Sequence, residues 1–509
     1  MKINIENRIA LSIFAAYALA VLVIFLPEFL GGVDSPQHAA QITTINHLLF
    51  NVTSPLSEAF TIDYKTPYLI VYFITATLSQ ITGVDLAMKL MVSATLGLSV
   101  IFLYKIGNET NRDLRVVPLF VPILLGFQYE WGFYSFMCSN WLGFATFYLA
   151  IKIIKSKTIQ HQQLALMWVC SFLLILSHAF VFLITSLALL ILTLSTFNSK
   201  TLKRALHCSL PFILCGTMAL FWSRNIMSTS IEFNDMETQW IFSFTELMHV
   251  VGSLNGSTVF TMGCISGLAI LFIPTYRGTG FIGCQYQLIK PAIYSAIFLI
   301  LLIPNHTFGT WHIKDRVLFL IPLLLLYINN RNASKSSQLV PLLVFLSTTL
   351  SLALHLHDSY RLRYEQKQFS QLIGNIPNGA RLLFTVSDYT PLMSQLNGKT
   401  SLEGINWFAL HQAKGRGVVD VNFAQFSVQP TKYRDELNPL IAESLPREGG
   451  GARIASIFHD TSYNVVNYDY ILEYDTVNAN PVTLTERYSV LQMSLLKSTN
   501  GFHLWRIDG

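Results

Sequence analysis

The sequence predicts a mainly α, polytopic transmembrane helical bundle, with surface helices on its outer face and a small α/β domain at its C-terminal end. Three observations predict it. Of 509 residues, 52% are hydrophobic and only 12% charged, with a mean hydropathy of +0.45, against about 25% charged in soluble domains. Long apolar runs recur as far as residue 355, whereas residues 356–509 carry ordinary charge density. Lysine and arginine also fall on alternate sides of successive apolar runs.

Eleven candidate spans follow in order: 9–30, 86–104, 116–130, 135–151, 162–177, 179–197, 205–223, 259–274, 291–304, 317–330 and 338–355. The first is a retained helix, because no small-residue cleavage site precedes Pro27-Glu28. With the N-terminus inside, the inner segments hold Lys2, Arg8, Lys105, Arg112, Arg115, Lys152, Lys155, Lys157, Lys200, Lys203, Arg204, Arg277, Lys290, Arg331 and Lys335. The outer loops hold only Lys65, Arg224, Lys314 and Arg316. Fifteen cations against four put the C-terminal domain outside by the positive-inside rule.

The same bias decides the segment Thr66 to Thr82, which is apolar enough to span but would invert every later loop. It is expected as a re-entrant or surface-lying helix. Ser35-Pro36, Ser54-Pro55 and Thr66-Pro67 each read as a hydroxyl cap followed by proline at the first helical position. The outer loop 31–84 is therefore expected to hold two or three short helices. The stretch Gln162 to Phe197 has basic flanks at both ends, so it must go out and return with His178 at its outer turn.

The expected domains are 1–355, in the membrane, and 356–509, outside it, with the boundary near His355 to Tyr360. In the second, strand-like runs at 381–386, 470–472 and 502–507 alternate with turn signals at Pro377-Asn378-Gly379 and Gly449-Gly450-Gly451. It contains no nucleophile elbow, P-loop or dinucleotide fingerprint, so acceptor binding or a lid is its expected role. The six cysteines all lie in the apolar part without metal or redox spacing. The basic residues form scattered loop clusters and no continuous stripe, so no nucleic-acid partner is expected. Of the sequons at Asn51, Asn108, Asn255, Asn305 and Asn332, two fall on the inner side and do not argue for glycosylation.

The segment Gly32 to His38 places a carboxylate and an imidazole at a membrane surface, where ionisable groups have work to do. The early Asp34, the run Tyr64 to Leu69, Gly83 and Lys89 resemble the opening of C-type membrane glycosyltransferases. So do Trp131 to Phe136, Asn140 to Phe144, Leu176-Ser177-His178, Lys314 to Phe319, Ile376 to Arg381 and Tyr468 to Leu472, which are similar to an uncharacterised bacterial branch of that superfamily. This sequence departs from the pattern in having a lone Asp34 in place of paired acidic residues, and a single Pro67 in place of a double proline.

The resemblance implies transfer of a sugar from a polyprenyl-phosphate donor to an acceptor hydroxyl on a lipid, glycan or protein. It also implies an outer-face site, in a bacterial inner membrane with the C-terminal domain periplasmic. The residues suit that chemistry. A carboxylate must take the hydroxyl proton, and a partly desolvated Asp34 has the raised pKa such a base needs. The same charge would also favour the N-terminus of the helix starting at Pro36, although Ser35 can supply that cap. Glu58 and Asp63 are the other carboxylates of the loop.

Cations are expected to neutralise the leaving phosphate, and Lys89, Lys314 and Arg316 are placed for it, with Lys65 in the outer loop. Snorkelling at helix ends would explain the same positions. His38, His178, His306 and His312 lie at the outer face and suit hydrogen bonds to phosphate or sugar. Their spacing gives no close acidic partner, so no cofactor is expected, a divalent metal being the lesser reading. Trp131, Trp141, Trp240 and Trp311 could stack on sugar rings or form an interfacial belt, and Glu130 lies at another outer turn. The rival readings are a lipid-linked glycan transporter or flippase, an acyltransferase using His178, and a glycan polymerase or ligase. No internal repeat supports the transporter.

Overall fold

The computed structural model describes residues 5–156, 158, 160–195, 199–229, 315–328, 339–386, 407–419, 429–434, 468–474, 492–499 and 502–508. Helix α1 (Ile5–Phe25) is followed by the outer loop, which contains α2 (Ser35–Phe50), α3 (Pro55–Ala59), β1 (Phe60–Ile62) and α4 (Leu69–Thr82). The bundle continues through α5 (Val84–Glu109), α6 (Phe120–Glu130), α7 (Tyr134–Lys155), α8 (His161–Ser177), α9 (Ala179–Ser195) and α10 (Ser199–Thr229). Helices α11 (Ile321–Ile328) and α12 (Leu339–Ile373) complete its described part.

Among the described residues four helices are long and apolar enough to cross a membrane: Glu6–Phe25, Val84–Glu109, Tyr134–Lys155 and Pro341–Ile373. The expected spans 259–274 and 291–304 lie outside the described residues. The run expected as one span at 116–130 is broken. It begins with a 3-10 turn over Leu114–Leu119 that contains Pro118, and α6 is kinked at the non-helical Gly126. Helices α8 and α9 hinge on His178 alone, as the basic flanks required. Bulky side chains from α6, α7 and the turn before α11 fill the centre, with Phe120, Phe136, Phe144 and Phe319 fully buried.

The outer loop holds the expected short helices, with two corrections. Ser54 does cap α3, accepting the Ser57 N–H at 3.2 Å with Pro55 next. Ser35 is not a cap: it is the first residue of α2, and its hydroxyl donates to the Gly31 carbonyl at 2.6 Å. Thr66-Pro67 does not start a helix either, since α4 begins at Leu69 behind a turn. The 14 residues of α4 extend about 21 Å, short of a ~30 Å hydrocarbon core. It lies against α2 and α5.

The C-terminal part forms a four-stranded sheet in the order β2-β4-β6-β5, from β2 (Leu382–Val386), β4 (Tyr470–Tyr474), β5 (Met493–Thr499) and β6 (Phe502–Ile507). β2 and β4 run parallel, and the other pairs antiparallel. Three of these strands match the sequence expectation, and β5 is additional. The turn before β2 holds Gly379 at φ +87°, as Pro377-Asn378-Gly379 requires. The Gly449 to Gly451 run lies outside the described residues.

The boundary expected near His355 to Tyr360 falls inside a helix. Helix α12 runs through it for 35 residues, from the apolar segment into the C-terminal sheet, where Phe369 packs on Phe502 at 4.8 Å between ring centroids. Its Gln366 side chain clamps the Phe29 main chain, accepting from the N–H and donating to the carbonyl, each at 3.2 Å.

Two further seams join the C-terminal part to the outer loop. Strand β3 (Thr431–Tyr433) pairs antiparallel with β1, placing Tyr433 against Phe60. The short helix α13 (Leu410–Ala413) docks on α2: Gln412 Nε2 donates to Thr44 Oγ1 at 2.9 Å, and Thr43 Oγ1 donates to the Ala413 carbonyl at 2.6 Å. Gln412 Oε1 also accepts the Val419 N–H at 3.4 Å. Gln412→Ala removes both hydrogen bonds and is expected to cost about 1–3 kcal/mol of stability, read as a lower unfolding midpoint in detergent. An unchanged midpoint would show that α13 contributes nothing to holding the outer loop.

Candidate active site

The site is built where the outer loop meets the turn between α6 and α7. Two main-chain hydrogen bonds tie them: Val33 N–H to the Glu130 carbonyl and Asp34 N–H to the Trp131 carbonyl, both 3.0 Å. The approach is possible because each strand of the junction has a glycine at positive φ, Gly32 at +107° and Gly132 at +70°. A Cβ on Gly32 would lie 2.3 Å from the Tyr129 carbonyl oxygen, and one on Gly132 would lie 2.6 Å from Ser35 N. No other residue fits at either position.

This junction sets Asp34 at the N-cap of α2, where its side chain makes no capping hydrogen bond. Burial pushes its carboxyl up to about 7, against the opposing pull of the Arg316 guanidinium. Arg316 enters from the 3-10 turn Asp315–Leu320 and stacks over Phe133, 4.2 Å from the ring centroid, with Phe136 at 6.0 Å. The turn that holds Asp34 by its carbonyls thus also seats the cation facing it.

Two histidines complete the group. His38, one turn along α2 from Asp34, has Nδ1 2.5 Å from the Tyr72 hydroxyl and its ring against Tyr134. Burial, then the Arg316 charge, pushes its pKa down to about 3. His178 sits edge-on to Tyr68 and Phe136. Its Nδ1 accepts the Phe180 N–H at 3.2 Å, and its pKa is driven well below the usual value by burial, then Arg316, then His38. A neutral ring that accepts at Nδ1 carries its proton on Nε2, and Nε2 lies 3.4 Å from Arg316 Nη1. Two donors side by side cannot bond each other. Both present a donor to the same small space.

The expected site residues divide accordingly. Asp34, His38, His178 and Arg316, spread over 283 positions of the chain, interact electrostatically with one another. Glu130 and Trp131 also reach the site, but through their carbonyls, and the Trp131 ring stacks on Phe133. Lys89 has other work: its ammonium donates to the Pro27 carbonyl at 2.6 Å and the Glu28 carbonyl at 3.1 Å, closing the chain after α1.

Glu58, Asp63 and Lys65 lie at the seam with the C-terminal part. Glu58 and Lys65 are exposed, while Asp63 donates its N–H to the Pro430 carbonyl and accepts the Lys65 N–H. Trp141 stacks on Phe102 within the bundle. His306, His312, Lys314, Trp240 and Trp311 lie outside the described residues. Among the described residues no three His, Cys, Asp or Glu side chains form a metal-holding group.

Sequence reasoning missed Tyr68, Tyr72 and Tyr134 as site residues, together with Gln429, whose Oε1 reaches the Tyr72 hydroxyl at 3.5 Å from the C-terminal part. Tyr134 also exchanges a hydrogen bond with Thr75 at 2.6 Å. The available signal was a hydroxyl-tipped ring inside otherwise apolar runs.

No family model matches the chain, and no characterised protein matches it by sequence. Solved structures do match in fold. ArnT from Cupriavidus metallidurans bound to undecaprenyl phosphate aligns with a TM-score of 0.58 at 9% identity, over 99% of this chain and 98% of that one. The arabinofuranosyltransferase AftD from Mycobacteria aligns at 0.50 and 12% identity, over 99% of this chain and 40% of AftD. The apo oligosaccharyltransferase of Archaeoglobus fulgidus aligns at 0.50 and 10% identity, over 91% and 69%. The fold is that of the C-type membrane glycosyltransferases. The chain is an integral membrane protein.

Gly132→Ala adds both strain and collision, whereas Gly83→Ala, at φ +79° with nothing within 4 Å of its Cβ, adds strain alone. Gly132→Ala is expected to lower the unfolding midpoint well beyond Gly83→Ala, whose strain is about 1–3 kcal/mol. Equal losses in thermal unfolding would mean that the loop and turn separate freely.

Proposed function

We propose that the chain transfers a sugar from a polyprenyl-phosphate donor to an acceptor hydroxyl at the outer face of the membrane, with Asp34 as general base. The observation that carries this reading is the pairing of a half-buried carboxylate, whose acidity is lowered by desolvation, with Arg316 and a neutral His178. It joins a proton acceptor to an anion site across one small space. ArnT, which shares the fold, was crystallised with undecaprenyl phosphate, and the same class of carrier suits the two donors here.

In the proposed reaction the acceptor hydroxyl loses its proton to Asp34 while its oxygen bonds to the anomeric carbon. The bond from that carbon to the phosphate oxygen breaks, and the phosphate leaves with the electron pair. Arg316 and His178 Nε2–H receive its growing charge in a site where burial strengthens the attraction. One displacement inverts the anomeric centre. Asp34 then returns its proton to water.

Clustering of cations on the inner segments supports an outer-face site in a plasma membrane, bacterial by the sequence resemblance. The seams made by α13 and β3 support a role for the C-terminal part in presenting the acceptor.

Mass spectrometry of lipid-linked and surface glycans tests the reading in cells with wild type, no protein, or Asp34→Asn at matched abundance. Null and Asp34→Asn cells are expected to lack one sugar and to accumulate its polyprenyl-phosphate donor, the variant losing about 10²–10⁴-fold in rate. If deletion alters glycans while Asp34→Asn behaves as wild type, the base assignment fails and transport becomes the better reading.

A pH profile provides an independent check. Only the carboxylate accepts a proton, so kcat/KM is expected to rise with pH through about 7 and level off above it. Arg316→Gln removes the charge that holds this pKa down, so the residual activity should show its acid limb displaced to higher pH. A limb that stays in place would separate Arg316 from Asp34.

A further inference from the structure

Helix α12 presents one continuous exposed face along its length. Through its first half that face is apolar, with Leu342, Phe345, Leu346 and Leu350 all about half exposed, as lipid contact requires. Beyond His357 the same face changes character. Tyr360 and Tyr364 stand 68% and 66% exposed, and interleaved with them are the exposed Arg363 and Lys367.

Tyr360 and Tyr364 are one turn apart, and so are Arg363 and Lys367. Two like charges at that spacing repel each other. Neither makes a hydrogen bond or ion pair among the described residues, whereas their neighbour Arg361 is 3.8 Å from Glu365. The acidic groups on this stretch of α12 are Glu365, occupied with Arg361, and Asp358, beside His357.

We propose that Arg363 and Lys367, flanked by Tyr360 and Tyr364, form a binding site for the phosphate of an anionic phospholipid in the bilayer that α12 crosses. Distance and direction support this occupant. From His357 the helix rises about 9 Å to Arg363 and about 15 Å to Lys367. Helical side chains lean toward the N-terminus of their helix, here back toward the apolar half, and long basic side chains snorkel. The ammonium and guanidinium therefore descend to headgroup depth, where tyrosine rings also partition. The clamp is separate from the Asp34 site, and the inference stands whatever reaction that site performs.

Native mass spectrometry of the full chain, released from nanodiscs of mixed phosphatidylglycerol and phosphatidylcholine, reads the outcome directly. Wild type is expected to retain phosphatidylglycerol selectively, less so as salt rises. Arg363→Gln/Lys367→Gln should weaken that retention about 25-fold, at about fivefold per charge, while Arg361→Gln leaves it nearly intact. Equal retention of the two lipids by wild type, or undiminished selectivity in the double variant, overturns the proposal. If the double variant does not fold, the salt series on wild type decides, and salt-independent retention overturns it.

Discussion

The site depends on how closely two main chains approach at Gly32 and Gly132. Where a Cβ on either would fall within van der Waals distance of the opposite backbone, the absence of side chains lets Val33 and Asp34 bond to the α6–α7 turn. A carboxylate on a membrane-surface loop would otherwise sample many positions in water and keep an ordinary pKa. Pinned by its own N–H, Asp34 is held half-buried beside Arg316, and its altered acidity follows from that placement.

The charge balance of the pocket follows the same logic. Among the described residues Arg316 stands against Asp34, and the two imidazoles beside them are held neutral by burial and by the cation itself. A protonated histidine there would add a second positive charge in a low-dielectric space and draw Asp34 toward the ordinary carboxylate range. Neutral rings instead supply directional N–H and lone-pair groups without disturbing the pair. Seating Arg316 on Phe133 also gives the guanidinium an apolar neighbour that does not neutralise it.

Much of this was legible in the sequence. Asp34, His178 and Arg316 stood out because each is polar at the outer end of an apolar run, where the positive-inside pattern gives no reason for it. Lys89 fitted the same rule, and its ammonium meets the carbonyls left open after α1, a demand that only the fold reveals. The glycines and tyrosines of the site were visible as letters but not as geometry. Positive φ, close approach and ring contacts arise between segments about a hundred residues apart. Strand β5 escaped because Met493 to Thr499 does not alternate, a β-bulge between Leu495 and Lys497 disturbing its period. Hydropathy changes at His355 while the helical backbone continues through it, so a boundary read from composition says nothing of where the helix ends.

That unbroken backbone has a mechanical consequence. Helix α12 enters from the apolar region, grips Phe29 through Gln366, and ends among the strands of the outer sheet, so the sheet is keyed to the bundle by angle as well as by height. An α-helix turns about 100° per residue. Inserting or deleting one residue between Leu350 and Gln366 would swing the sheet around the helix axis and separate Gln412 from Thr44 and β3 from β1 together. A change of length between Leu350 and Gln366 is therefore not absorbed locally, and the C-terminal sheet behaves as a key cut to one phase.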